Sequence, residues 1–196
     1  MESYDYLGTR VVNDGKMNEE ILNRINKASQ VYYQLNQIII NKKELNNETK
    51  IQMYNSIYVP TLTYGLETSI LEKKHKSKIQ ASEMKYLRQT LGKNKRDNVR
   101  NTKIRDDTKQ QPLNDKIEQR QLAWFGHTLR MNNNRIPKRI VECKPEGKRP
   151  KGRPRTTYED QITKLAVKRG KTMAEIRKLA RDRKKYRSWI DEAPTL

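Results

Sequence analysis

The chain has 196 residues, of which 43 are Lys or Arg and 23 are Asp or Glu, so its formal net charge at pH 7 is +20. With one cysteine, Cys143, and two histidines, it can form no intrachain disulfide and no zinc site built from thiols and imidazoles alone. It has no run of about 20 apolar residues and no signal-peptide pattern, so we expect a soluble intracellular protein without metal or cofactor.

The positive charge is concentrated after residue 72. Residues 1–72 hold 7 basic and 9 acidic side chains, whereas residues 73–196 hold 36 basic and 14 acidic ones. Such an excess opposes compaction unless a polyanion neutralises it, and nucleic acid is the commonest polyanion in cells. We expect no membrane partner, because the basic residues do not follow one amphipathic helix. The alternative is a charged surface that only keeps the chain soluble and has no polyanionic partner.

Residues 1–92 are predicted to form a helical bundle. One helix is indicated from Asn18 to Ile40, with Asn18 as its cap, by apolar residues three and four positions apart: Ile21, Ile25, Ala28, Tyr32, Leu35 and Ile39. A second helix is predicted from Asn47 to Tyr58.

Pro60 is expected to end the second helix, and residues 59–65 to form an extended segment with a turn at Gly65. A third helix is predicted from Lys73 to Leu91, with Gly92 as its C-terminal cap. An all-α fold follows from these elements.

The second half is divided into four parts. Residues 93–111 are predicted to be a polar linker, and residues 112–132 a bridging helix that carries Leu113, Ile117, Trp124 and Leu129. Residues 133–155 are predicted to be a basic, proline-rich strap without helix. Residues 156–196 are predicted to form a basic helical hairpin whose two helices start at capping boxes, Thr156 with Glu159 and Thr172 with Glu175.

The strap contains the sharpest local motif. Gly152-Arg153-Pro154, flanked by basic residues, is similar to an AT-hook, in which an extended Arg-Pro segment lies in a narrow A·T minor groove. General phosphate binding and an unbound flexible linker are the alternatives. We expect nucleic-acid contacts from one group in and before the strap, Lys138, Arg139, Lys148, Arg149, Lys151, Arg153 and Arg155, and from a second group near the C-terminus, Arg177, Arg181, Arg183, Lys184, Lys185 and Arg187.

Trp124-Phe125-Gly126-His127 is the second candidate segment. Its rings lie near Arg130 and could stack on bases. Trp124 also continues the apolar stripe of the bridging helix, so the periodicity favours a core position for Trp124 and a structural role for His127.

The sequence contains little that could support catalysis. It has no phosphate-binding loop, no HExxH and no GxSxG motif. Asp106-Asp107 and Glu159-Asp160 are the carboxylate pairs that a metal-dependent nuclease would need. The first pair is better explained as part of a polar linker, and the second pair as residues in the first turn of a helix.

Short motifs follow one another along nearly the whole chain: Tyr6-Leu7-Gly8, Glu20-Ile21, Arg24-Ile25, Ala28, Pro60, Tyr64-Gly65, Glu67, Tyr86-Leu87-Arg88, Ile104-Arg105, Trp124-Phe125-Gly126-His127, Leu129-Arg130-Met131, Arg135-Ile136-Pro137, Gly152-Arg153-Pro154 and Trp189. In this order and spacing the chain resembles the C-terminal part of the endonuclease–reverse transcriptase of non-LTR (LINE-type) retrotransposons, downstream of the polymerase palm.

The resemblance implies a thumb-like N-terminal bundle and a basic C-terminal region that holds element RNA, target DNA or an RNA–DNA hybrid during target-primed reverse transcription. It also implies a nuclear location, with a cytoplasmic ribonucleoprotein stage. The palm aspartates and the endonuclease are absent, so we expect a truncated or degenerate element with no catalytic residues and no activity alone.

Two other functions stay open on the sequence. An AT-hook-type architectural protein would prefer A·T-rich duplex and depend on Arg153 and Arg155. A nuclease fragment would cleave with Mg²⁺ and depend on Asp106 and Asp107.

Overall fold

A computed structural model describes residues 3–13, 17–143, 152 and 156–192 of the chain. In that part the protein is helical apart from one two-stranded hairpin, which confirms the all-α prediction. The chain divides into two compact units. The N-terminal unit comprises Met1–Gly65 and Leu71–Lys116, and the C-terminal unit comprises Leu66–Ile70 and Ile117–Leu196.

The hairpin was not predicted. Strands β1 (Ser3–Tyr6) and β2 (Thr9–Val12) pair antiparallel, and Leu7 and Gly8 form the two-residue turn with φ values of 47° and 79°. Positive φ at both turn positions matches the twist of a hairpin. Every residue of β1 is exposed, so the strand lacks the apolar alternation by which a half-buried strand is found in a sequence.

A buried ion pair attaches the hairpin to helix α1 (Asn18–Leu35). Arg24 Nε donates to Glu20 Oε1 at 2.6 Å, and its Nη2 donates to the carbonyl of Gly8 at 2.5 Å. Glu20 Oε2 accepts the backbone N–H of Arg10 at 2.6 Å. Because both charged groups are buried, each needs these fixed partners to offset the loss of water.

Helix α1 continues into a wider π-type turn, Asn36–Ile40, so the predicted helical span is confirmed. The prediction that Asn18 caps this helix is wrong. Met17 stands at the cap position without a side-chain hydrogen bond, and Asn18 Oδ1 pairs with His75 instead.

Pro60 does not end the second helix, and residues 59–63 are not extended. Helix α2 (Asn47–Met53) passes through a π-type turn, Tyr54–Tyr58, into helix α3 (Val59–Thr63). Pro60 is the second residue of α3, so its missing backbone donor falls directly after the wider π-type turn. The chain leaves the helix at Tyr64, and Gly65 turns with φ of +73° as predicted.

Aromatic rings fill the centre of the N-terminal unit. Tyr54, Tyr58 and Tyr86 are fully buried, and the Tyr86 ring centroid lies 5.2 Å from that of Tyr54 and 4.8 Å from that of Tyr58. Tyr86 comes from helix α4 (Lys73–Thr90), which begins and ends close to the predicted positions and is followed by Gly92 with φ of +64°. Burial raises the pKa of Tyr58 to about 12, so its hydroxyl stays protonated at physiological pH.

Residues 93–111 differ from the predicted polar linker. They contain a 3₁₀ turn, Lys95–Asp97, and helix α5 (Asn101–Thr108), whose Ile104 is fully buried. A long-range interaction fixes α5. The buried carboxylate of Glu83 accepts from Arg105 Nη2 at 2.7 Å and from the backbone N–H of Leu113 at 3.0 Å.

The bridging helix, predicted over residues 112–132, is α6 (Leu113–Arg130), and it runs from the N-terminal into the C-terminal unit. In the C-terminal unit, Gln121 Nε2 donates to the carbonyls of Leu66 and Ser69 at 3.1 and 2.9 Å. Gln161 Nε2 donates to Gln121 Oε1 at 2.7 Å. These buried amides hold the short segment Leu66–Ile70, a role that no sequence motif indicated.

The start of the strap predicted at 133–155 is helical. Helix α7 spans Ile136–Glu142. Pro137 does not prevent this helix, because it occupies the first turn, where proline is tolerated. Residues 144–151 and 153–155 lie outside the described residues.

Within the described residues 156–192, the C-terminal segment forms three short helices in place of the predicted two. They are α8 (Tyr158–Lys168), α9 (Met173–Leu179) and α10 (Arg183–Asp191). The capping box of α8 is Thr157 with Asp160, one residue later than predicted, whereas Thr172 with Glu175 at α9 is confirmed. Asp182 separates α9 from α10, because its carboxylate caps the N-terminus of α10.

A single buried cluster joins α6, α8, α9 and α10 in the C-terminal unit. Tyr186 of α10 lies against the backbone of α6 at Gly126, and its hydroxyl donates to the carbonyl of Leu122 at 2.8 Å. A Cβ on Gly126 would overlap the Tyr186 ring, since it would lie 2.7 Å from Cδ1 and nearer still to Cε1. Burial raises the pKa of Tyr186, so the hydroxyl remains a donor.

Replacing Gly126 with Ala tests this contact. In an open helix the change would stabilise by about 1 kcal/mol, but here overpacking against Tyr186 should lower the free energy of unfolding by about 1–3 kcal/mol. Urea unfolding followed by the fluorescence of Trp189, whose ring centroid lies 5.6 Å from that of Tyr186, measures the effect. Adding Tyr186→Leu should recover part of the loss; a Gly126→Ala protein as stable as the parent would contradict the contact.

His75 makes the N-terminal unit sensitive to acid. Its Nδ1 accepts the backbone N–H of Glu72 at 3.2 Å, which leaves Nε2 to donate to Asn18 Oδ1 at 2.7 Å. The bond to Nδ1 requires the neutral ring, because a protonated Nδ1 cannot accept a hydrogen bond. Burial lowers the pKa of His75 below its usual 6.5, and the charges of Lys74 and Lys78 lower it further. The Glu72 carboxylate has the opposite effect, but burial is the largest of these effects.

The free energy of unfolding should therefore fall as the pH is lowered from about 7 to about 5. The unfolded chain takes up a proton on His75 near pH 6.5, whereas the folded chain takes it up only at a lower pH, so acid favours unfolding. Urea midpoints across this range measure the effect, and the carboxylates titrate mainly below it. The His75→Gln variant should show a weaker dependence of the unfolding free energy on pH. The same dependence in the variant and the parent would mean that other groups cause it.

Candidate nucleic-acid interface

Helix α10 has one buried and one basic side. Tyr186, Trp189 and Ile190 are buried in the core of the C-terminal unit. The remaining side carries the α10 basic face, defined as Arg183, Lys184, Lys185 and Arg187, all of which are exposed. The burial of the aromatic side thus fixes which way these four cations point.

The ion pairs of this face are weak. Lys185 Nζ lies 3.7 Å from Asp182, and Arg187 Nε lies 3.8 Å from Asp191, with the basic side chains 76% and 80% exposed. Exposed pairs of this kind contribute little to stability. Arg183 and Lys184 form no ion pair among the described residues. All four cations are therefore available to an incoming anion at little cost.

Asp182 fixes the start of the α10 basic face. Its Oδ1 accepts the backbone N–H of Lys184 at 3.0 Å and that of Lys185 at 3.1 Å. These bonds, that of Lys185 above all, hold the pKa of Asp182 below its usual 3.8. Oδ1 is thus taken up by the helix terminus, and the other oxygen lies 3.7 Å from Lys185 Nζ in a weak ion pair.

Arg130 links α6 to the beginning of this face. Its Nη1 donates to the carbonyl of Ala180 at 2.9 Å, and its Cζ lies 5.8 Å from the centroid of the Tyr186 ring. Arg181, the next residue after Ala180, is exposed. The guanidinium is half-buried and holds the junction between α9 and α10 against α6.

Of the site residues predicted before and within the strap, the structure describes Lys138 and Arg139. Lys138 and Arg139 lie on α7, and Lys138 Nζ donates to the carbonyl of Met131 at 3.0 Å. Arg139 is exposed. The remaining predicted strap residues, Lys148, Arg149, Lys151, Arg153 and Arg155, lie outside the described residues. Arg177 pairs with Glu159 at 2.9 Å on the surface.

The structure places Phe125, not Trp124, in the core. Phe125 is fully buried, whereas Trp124 is half-buried and His127 exposed. The ring centroids of Trp124 and His127 lie 5.7 Å apart. The core position expected for Trp124 is therefore wrong, because Gly126 must face Tyr186 and this turns Trp124 outward.

Several cations of the chain serve folding and were missed in the sequence. Arg169 is buried, and its Nη1 donates to the carbonyls of Ile190 and Glu192 at 2.8 and 2.7 Å, so it closes the C-terminus of α10. Arg24 and Arg105 pair with buried glutamates. The i,i+4 spacing of Glu20 and Arg24 was a visible signal of one pair, whereas Arg105 and Arg169 find partners more than twenty residues away.

The carboxylates considered for a nuclease are exposed on helix surfaces. Asp106 and Asp107 are exposed on α5, and Glu159 pairs with Arg177 at the start of α8. Within the described ranges, no group of three or more His, Cys, Asp or Glu side chains is placed to hold a metal ion. In the same ranges, no helix is both long enough and apolar enough to cross a bilayer.

Comparison with known proteins gives one relationship of note. Over 150 residues, 72% of this chain, the sequence is 25% identical to a transposon-derived, uncharacterized protein of Caenorhabditis elegans. The chain spans about half of that relative's length, 53%. No protein-family model matches the chain, and no solved structure matches it. The chain is thus similar to a protein of transposon origin.

Proposed function

We propose that the chain binds nucleic acid through the C-terminal unit, as the non-catalytic C-terminal part of a non-LTR retrotransposon reverse transcriptase. The observation that carries the proposal is the α10 basic face, whose four exposed cations are free of strong ion pairs and are presented by a helix with its other side buried. Lys and Arg arranged in this way displace the counterions of a phosphate backbone.

The transposon origin of the relative agrees with this proposal, as does the order of motifs along the chain. In the parent element the unit would hold element RNA, target DNA or an RNA–DNA hybrid during target-primed reverse transcription. Such a role places the protein in the nucleus, with a cytoplasmic ribonucleoprotein stage. The strap residues Lys148–Arg155 would extend the same phosphate contacts.

Binding should be steeply salt-dependent and should weaken when the basic face is neutralised. If about six phosphates are contacted, log K against log salt should have a slope of about −5 on duplex DNA. Arg183→Ala with Lys184→Ala should make the slope less negative by about 1–2, since each lost contact removes about 0.9. Fluorescence anisotropy with a labelled duplex, titrated at several salt concentrations, measures both slopes.

Lys42→Ala with Lys43→Ala is the matched control, because it removes two exposed adjacent cations from the N-terminal unit. It should leave the slope nearly unchanged. Equal effects of the two double variants would mean that net charge alone drives binding, and absence of binding at low salt would overturn the proposed function.

A further inference from the structure

An aromatic pair on α6 is not accounted for by phosphate binding. Trp124 and His127 are three residues apart, so one helical turn brings their rings to the same side, with an interplanar angle of 50°. Phe125, which lies between them in the chain, points into the core. The pair therefore belongs to the outward side of α6.

Among the described residues, packing within the C-terminal unit does not explain Trp124. The residue belongs neither to the buried cluster of this unit nor to the partly buried apolar side chains packed against that cluster. The other tryptophan, Trp189, is 5% exposed inside the same cluster. A large ring kept partly in water next to a second ring is typical of a contact surface, because aromatic side chains contribute much of the energy at interfaces.

Positive charge adjoins the pair. Arg130 follows His127 by three residues and lies about 9 Å along the helix axis from Trp124, at 1.5 Å per residue. Through its bond to the Ala180 carbonyl, Arg130 connects this part of α6 to Arg181 and to the start of the α10 basic face.

We infer that Trp124 and His127 form a stacking platform for the bases of a single-stranded nucleic acid whose phosphates lie on the α10 basic face. This inference rests on the proposed function. Base stacking on aromatic rings is tolerant of sequence and requires unpaired bases, since the faces of paired bases are covered by their neighbours in the duplex. The C-terminal unit consequently prefers a single strand over a duplex.

Two variants of the full chain separate stacking from charge. Trp124→Phe keeps an aromatic face, and Trp124→Leu keeps apolar volume without one. For a 12-nucleotide oligouridine RNA, Trp124→Leu should weaken binding by roughly 10-fold or more, and Trp124→Phe by much less. A DNA duplex with the same number of phosphates should bind all three proteins alike. Thermal unfolding of each variant checks that the fold is kept.

Intrinsic fluorescence gives a direct readout on the unaltered chain. Because Trp189 is buried, the RNA should quench the emission of Trp124, and the quenching should disappear in Trp124→Phe. If RNA does not quench Trp124 and the parent and both variants bind RNA equally well, the stacking platform is overturned while nucleic-acid binding stands. Failure of both RNA and duplex to bind would overturn the proposed function itself. Self-association of the chain that Trp124→Leu abolishes would assign the pair to a protein contact instead and overturn the inference.

Discussion

The contact between Gly126 and Tyr186 sets the geometry of the C-terminal unit. It requires the Gly126 side of α6 to face α10, and this places Phe125 inward and Trp124 outward. The same contact buries the aromatic side of α10 and leaves Arg183 and its basic neighbours in solvent. Both parts of the candidate interface therefore depend on one glycine whose missing side chain makes room for a ring.

Net charge alone overstates how many cations are available to a ligand. Arg24, Arg105 and Arg169 are held by buried carboxylates or by helix-terminal carbonyls, and removing any one of their partners would leave an uncompensated buried charge. Such cations stabilise the fold and release few counterions on binding. The phosphate-binding capacity of the chain resides in the exposed remainder, of which the α10 basic face is the described part with the clearest geometry.

Local sequence patterns predicted elements that local forces determine. The apolar periodicity of α1, the glycine after α4 and the capping box at Thr172 are examples. Elements that distant partners stabilise were missed: α5 has one fully buried apolar residue, Ile104, and depends on the ion pair between Arg105 and Glu83. Trp124 and Phe125 are adjacent in the sequence, so the periodicity that includes Leu122 permits the ring of either residue in the core. The packing of Tyr186 decides between the two rings.

Lysine footprinting of the full chain with and without a single-stranded RNA tests the account most directly. Acylation rates, read residue by residue by mass spectrometry, report which amines a bound phosphate backbone covers. The account predicts slower acylation of Lys184 and Lys185 in the complex, with Lys42 and Lys43 of the N-terminal unit unchanged. The account would be contradicted if the RNA protected Lys42 and Lys43 while Lys184 and Lys185 stayed reactive. It would also be contradicted if the acylation rates of all four lysines changed equally.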